Sequence, residues 1–161
     1  MNGKQGRAGY CSPVALLAAA WLLAGCSDTP DEPAAPGQAE YVKYCATCHA
    51  RDGSGRPPTF PPLAGSEWLA LGPEASALIV LLGLKGEIEV AGRTYNGYMP
   101  SMRQVSDAEL AAILGFVGDR WAGWSAPPDA ERMGRLRALT EGRPMLEGRA
   151  ELDALLEELA P

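Results

Sequence analysis

"CATCH", residues 45–49, brings two thiols and the chain's single histidine together at Cys45, Cys48 and His49. Three chemistries use a Cys-x-x-Cys pair, and the flanking sequence discriminates among them. A structural zinc site needs four ligands, and no second Cys or His cluster follows the first. A thioredoxin-like redox pair sits at a strand-to-helix junction of a βαβ unit. The residues ahead, "GQAEYVKY" (37–44), read instead as an amphipathic helix running straight into the cysteines. The remaining chemistry is C-x-x-C-H attachment of a c-type haem, which uses all three residues. Thiols at i and i+3 lie on one side of a helical turn and form thioethers with the haem vinyl groups. The adjacent imidazole then stands over the iron, so His49 is the expected proximal ligand.

A second axial ligand must come from another residue type, because no other histidine exists. The methionine thioether is the natural soft donor. Beyond the N-terminal segment the methionines are Met99, Met102, Met133 and Met145. Met99 lies in "YNGYMP" (95–100), where Gly97 and Pro100 predict a loop able to aim one side chain across a flat ligand. Met102 is the competing candidate. Met133 and Met145 sit in helical or connecting context, where methionine ordinarily fills core.

Outward from these ligands the sequence predicts mostly helices. "SDAE" (106–109) has the spacing of a capping box, with Ser106 as cap and Glu109 reaching back. Leu110, Ile113, Leu114 and Val117 then form one apolar stripe, with Phe116 the expected aromatic contact to the first helix. Pro73 opens a short apolar helix through "PEASALIVLLGL" (73–84). "EIEVAGRTY" (87–95) alternates around Ala91 and Gly92 and predicts a tiny β-hairpin. The "GSG" at 53–55 lacks both a preceding strand and a lysine-serine continuation, which excludes a phosphate loop.

At the N-terminus, Lys4 and Arg7 precede eleven apolar residues, Val14 to Ala24, the shape of an export signal rather than a spanning helix. "LLAGC" (22–26) resembles a bacterial lipobox, which makes Cys26 the expected lipidation site, while Cys11 falls in the discarded part. Residues 27–36, with three prolines and three acids, read as a tether. The whole chain carries a net charge of −6, and loss of the first 25 residues, with two bases and no acid, moves this to −8. Such acidity argues against nucleic acid as a partner and favours encounter with basic protein surfaces. Beyond residue 118, a helix near 129–140 and another carrying Leu152, Leu155, Leu156 and Leu159 form a tail expected to shield apolar surface.

Taken in order, "GQAEYVKYCATCH", "DGSG", "FPPLAGSEWL", "GLKGEIEVAGRTYNGYMP" and "VSDAELAAILGFV" resemble successive blocks of small class I c-type cytochromes. The resemblance is closest to the haem domain found alone or fused to quinoprotein dehydrogenases. It implies an all-α class I cytochrome c fold with a small β-hairpin and a helical C-terminal extension. It also implies that the Pro61 carbonyl accepts the other N–H of His49, with Pro62 as the alternative, that Leu63 is an apolar haem contact, and that Met99 is the sulfur ligand. Gly118 departs from the pattern, since many relatives carry arginine there, and leaves the propionate contacts unassigned. The expected organisation is a lipoprotein signal peptide over 1–25, an anchored linker over 26–36, a haem domain over 37–118 and a helical extension over 119–161. The expected function is electron transfer by one covalent haem c in a lipid-anchored periplasmic carrier, not an enzyme. Its partners are redox proteins with basic docking surfaces, and the membrane through its anchor. The alternatives are an electron-accepting haem subunit of a dehydrogenase complex and a ligand-activating haem enzyme.

Overall fold

The computed structural model describes residues 34–126 and 128–159. The expected signal segment, Cys26 and nearly all of the tether lie outside these residues. Helix α1 (Gln38–Tyr44) follows Gly37, whose φ of 79° is a left-handed value. A Cβ at Gly37 would sit 1.9 Å from the Ala112 carbonyl oxygen, so only glycine lets α1 cross helix α4 (Asp107–Val117) this closely. One turn on, the fully buried Tyr41 ring lies 5.2 Å from Phe116. Trp121, in the π-helical turn Gly118–Ala122, closes the triangle at 5.2 Å from Tyr41 and 5.5 Å from Phe116. Such tilted and edge-on aromatic packing adds about 0.5–1.5 kcal/mol per pair beyond area burial.

Helix α4 begins with the complete capping box of Ser106 and Glu109. Glu109 also accepts from the Tyr44 hydroxyl at 2.8 Å and from Lys43 Nζ at 3.2 Å, tying α1 to the start of α4. The Ser106 backbone and hydroxyl, then Tyr44 and Lys43, hold the Glu109 carboxyl down at about 2. Helix α3 (Pro73–Leu82) has proline in its first turn and ends at Gly83. It is apolar nearly all round and accordingly central, with Ala75, Ala77, Leu78 and Leu81 fully buried.

The expectation of an all-α fold with a tiny hairpin is corrected by a three-stranded mixed sheet, although helices still dominate. Strands β1 (Leu84–Val90) and β2 (Arg93–Met99) pair antiparallel over seven residues each, from Val90↔Arg93 out to Leu84↔Met99. The turn puts Ala91 and Gly92 at φ 50° and 70°, the two positive values of a tight hairpin turn whose twist suits the strands. The outer half, "LKGE" against "NGYM", contains residues depleted in strands. There the register inherited from the turn extends the ladder, and burial of Leu84, Val90 and Tyr95 holds it. The third strand, β3 (Leu146–Glu147), is parallel to β1 and comes from the C-terminal segment. Two residues show no periodicity in a sequence. Their pairing exists because the flanking helices carry Leu146 beside Leu84.

Those helices are α5 (Ala130–Leu139), capped by Asp129 accepting from Arg132 N–H at 2.7 Å, and α6 (Gly148–Glu158). Helix α5 packs on α4 and α3, and α6 on β1 and α3. Met133 and Leu152 are fully buried and Leu136 and Leu155 nearly so, all in the core cluster shared with α1, α3 and α4. Each such side chain contributes about 1.5–3 kcal/mol of burial. No helix among the described residues is long and apolar enough to cross a membrane.

Candidate haem site

Cys45 ends α1 and opens the single turn α2 (Ala46–His49), which carries Cys48 and His49. The Cys48 and His49 N–H groups both donate to the Cys45 carbonyl, at 3.2 and 2.9 Å, so one turn of backbone fixes the spacing of the sulfurs. Both cysteines are free thiols and partly buried. Burial, with the neighbouring Cys48 second, pushes the Cys45 thiol up to about 11.

After α2 the chain turns through Gly53 and Gly55 and returns over the histidine. Gly55 N–H donates to the His49 carbonyl at 3.0 Å, and Leu63 N–H to Gly53 at 2.7 Å. This places the Pro61 carbonyl 3.0 Å from His49 Nδ1. A carbonyl only accepts, so Nδ1 carries the proton and Nε2 keeps its lone pair for a metal. Burial pulls the His49 pKa down, against the smaller opposing effect of the Pro61 bond, and favours the neutral imidazole that ligation requires.

His49 faces a cavity of about 110 Å³ that also meets Cys45, Pro62, Leu63, Trp68, Ile79, Val80, Ile113, Leu114 and Val117. A second cavity, about 90 Å³, meets Cys48, Thr59, Phe60 and Tyr98. The two share His49, Pro61, Leu84, Ile88 and Met99. Their walls are nearly all carbon, and no buried side-chain nitrogen or oxygen among the described residues lacks a partner. Nothing in the interior therefore calls for a polar occupant. The donor set, two thiols, one imidazole and one thioether around an apolar space, fits a covalently attached haem. Among the described residues no three His, Cys, Asp or Glu gather into another metal site.

Met99 does not stand in a loop, as the Gly97 and Pro100 signals predicted. It is the last residue of β2, opposite Leu84, and pairing stops at Pro100. Gly97 lies inside the strand, facing Gly86. The ladder overrides the local breaker signal because the hairpin register is already set. Met102 lines neither cavity: its sulfur accepts from Gln104 Nε2 at 3.5 Å and its N–H donates to the Val80 carbonyl at 2.8 Å. Leu63 and Pro62 both line the larger cavity, whereas the carbonyl beside His49 is that of Pro61.

Several wall residues escaped the sequence reading. Trp68, on the 3₁₀ turn Glu67–Leu71, is nearly buried and donates Nε1–H to the Glu89 carbonyl at 2.8 Å, fastening that turn to the sheet. Leu84 extends the alternation of Ile88 and Val90 across Gly86, a residue that hid the pattern. Gly118 is covered by Trp124: a Cβ there would lie 2.5 Å from the indole ring, which leaves no room for a longer side chain in this packing. Trp124 is held by its Nε1–H donating to Leu69 at 2.9 Å.

The chain matches the family described as "Cytochrome C oxidase, cbb3-type, subunit III" over residues 32–117. It is 42% identical over 109 residues to "Cytochrome c-552" of Thermus thermophilus, covering 62% of this chain and 83% of that protein. It is 30% identical over 88 residues to "Alcohol dehydrogenase (quinone), cytochrome c subunit" of Gluconacetobacter polyoxogenes, covering 53% of this chain but 19% of that protein. A site built for covalent haem and these similarities lead to one conclusion: the chain belongs to the cytochrome c family, whose members carry covalent haem c with its iron and serve haem-based electron transfer.

Proposed function

We propose that the protein is a lipid-anchored, periplasmic one-electron carrier whose haem is held by Cys45 and Cys48 and ligated by His49 and Met99. The observation that carries this reading is that His49 and Met99 line the same two cavities while His49 Nδ1 is committed to Pro61. When bound, the haem supplies one-electron cycling of its iron between ferric and ferrous states. The protein's part would be to offer the His49 Nε2 and the Met99 thioether to the iron, and to exclude water with carbon walls. A neutral thioether favours the ferrous state, and burial disfavours the net charge of the ferric one. Both effects raise the potential. With His49 and Met99 both holding the iron, no position would stay open for a small ligand, which would suit a carrier and not a ligand-activating enzyme.

The purified protein is expected to show reversible one-electron chemistry and negligible carbon monoxide binding by the ferrous form. Electron exchange with a basic redox partner should slow as salt approaches 0.15 M, where screening acts over about 8 Å. Tight carbon monoxide binding or substrate turnover by the isolated protein would refute the carrier reading. The similarity to a dehydrogenase cytochrome c subunit favours a second reading, in which the electron donor is a dehydrogenase holding this chain as a partner. Stable co-purification with such an enzyme would distinguish the two.

Anchoring rests on the lipobox-like residues before Cys26 and the proline-rich stretch after it. Cys26→Ala is expected to move the protein from the membrane fraction to the soluble periplasm. Wild-type protein recovered wholly soluble, without the mass of acyl chains, would remove the anchor from the proposal.

A further inference from the structure

The segment between Met99 and helix α4, residues 100–106, has a protein face and an outer face. On the protein face it is tied to the end of α3: Ser101 Oγ donates to Leu81 at 2.6 Å and Met102 N–H to Val80 at 2.8 Å. The outer face is gripped by α5 of the C-terminal extension. Arg137 spreads its guanidinium across three acceptors there, donating to the carbonyls of Arg103 at 2.8 Å and Val105 at 2.6 Å and to Asp107 Oδ1 at 2.7 Å. Arg103 returns the grip by donating to the carbonyl of the fully buried Thr140, just past the end of α5. The Arg137 side chain is about one-quarter exposed, so its hydrogen bonds are only partly screened. At the other end of the segment, the extension adds β3 beside β1, with Leu146 N–H donating to Gly83 at 3.3 Å and Leu146 paired to Leu84, the residue that itself faces Met99.

We propose that Arg137 is a positioning residue for the Met99 sulfur, its fork on Arg103, Val105 and Asp107 bracing the 100–106 segment so that the thioether stays at its ligating position. This rests on the reading of Met99 as the axial ligand. The planar five-donor guanidinium suits the role, because a lysine head is a point donor that cannot span three divergent acceptors. Without the fork, the Arg103 and Val105 carbonyls lose charged partners, and the segment opens more often. An external ligand competing with Met99 then binds in proportion to the open fraction.

The test compares full-length, haem-bearing wild type with Arg137→Ala, Arg137→Lys and Arg135→Ala. Arg135 lies on the same helix but bonds only Glu131, at 2.5 Å, and is 58% exposed. One measurement is the affinity of the ferric protein for imidazole. The other is amide hydrogen exchange at Met102 and Val105, whose N–H groups donate to Val80 and Met102. Arg137→Ala should bind imidazole about tenfold or more tighter, with exchange at both amides faster by a similar factor. The Tyr41 and Cys45 amides in α1 should keep their protection. Arg137→Lys should fall between, and Arg135→Ala should match wild type.

Imidazole affinity within twofold of wild type in Arg137→Ala overturns the proposal, as does faster exchange spread evenly over all amides. If Arg137→Ala is not recovered folded, Arg137→Lys decides on the same two measurements. Failure of the ligand assignment has a separate signature: Met99→Ala would then keep wild-type imidazole affinity. That outcome removes the sulfur and the proposal together, whatever the Arg137 variants do.

Discussion

Replacement of both Cys45 and Cys48 by alanine is expected to abolish covalent haem entirely, in cells where the wild-type chain acquires it. Intact mass under denaturing conditions reads this directly: the wild type should retain the haem mass and the double variant should show polypeptide alone. The loss should also reach the fold. The haem site includes a cavity of about 110 Å³ walled by α3, α4 and β1. If that volume stayed void, at about 24 cal/mol per Å³ the cost is on the order of 3 kcal/mol. Whole domains are stable by about 5–15 kcal/mol, so the haem-free chain should melt well below the wild type. Circular dichroism during heating checks this. A double variant that keeps covalent haem, or melts with the wild type, would show that these thiols do not carry the cofactor.

Met99→Ala is expected to remove the sulfur-to-iron charge-transfer absorption of the oxidised protein and to lower its potential. The drop falls within the ~0.8 V range that axial ligands span. It should also open one axial position, so that the ferrous form binds carbon monoxide where the wild type does not. Met102→Ala should leave the charge-transfer band and potential in place, because its sulfur faces Gln104 and not the cavities. The reverse outcome would mean that the end of β2 is one short turn out of register with the ligand. A change in both variants would point instead to the 100–106 segment moving as a unit.

What the sequence determined by itself was chemistry that lies within one or two turns of backbone. The thiols and adjacent imidazole of 45–49, with a helix ahead of them and no second Cys or His cluster, point to a haem, and i and i+3 fall on one side of a helical turn. The capping box at Ser106 and Glu109, the proline start of α3 and the turn at Ala91 and Gly92 are local in the same sense. Each is a side chain or φ value acting on its own neighbours. The tertiary structure decided what depends on backbone groups from distant segments, which carry no signature in residue type. Any residue offers a carbonyl, so the acceptors of Arg137 at Arg103 and Val105 are invisible in a string of letters. The same holds for β3, two residues that become a strand because α5 and α6 deliver them to the free edge of β1. Met99 shows the conflict most plainly. Gly97 and Pro100 signal a loop locally, yet the register propagated from the turn seven residues away keeps the ladder going until proline has no N–H to give.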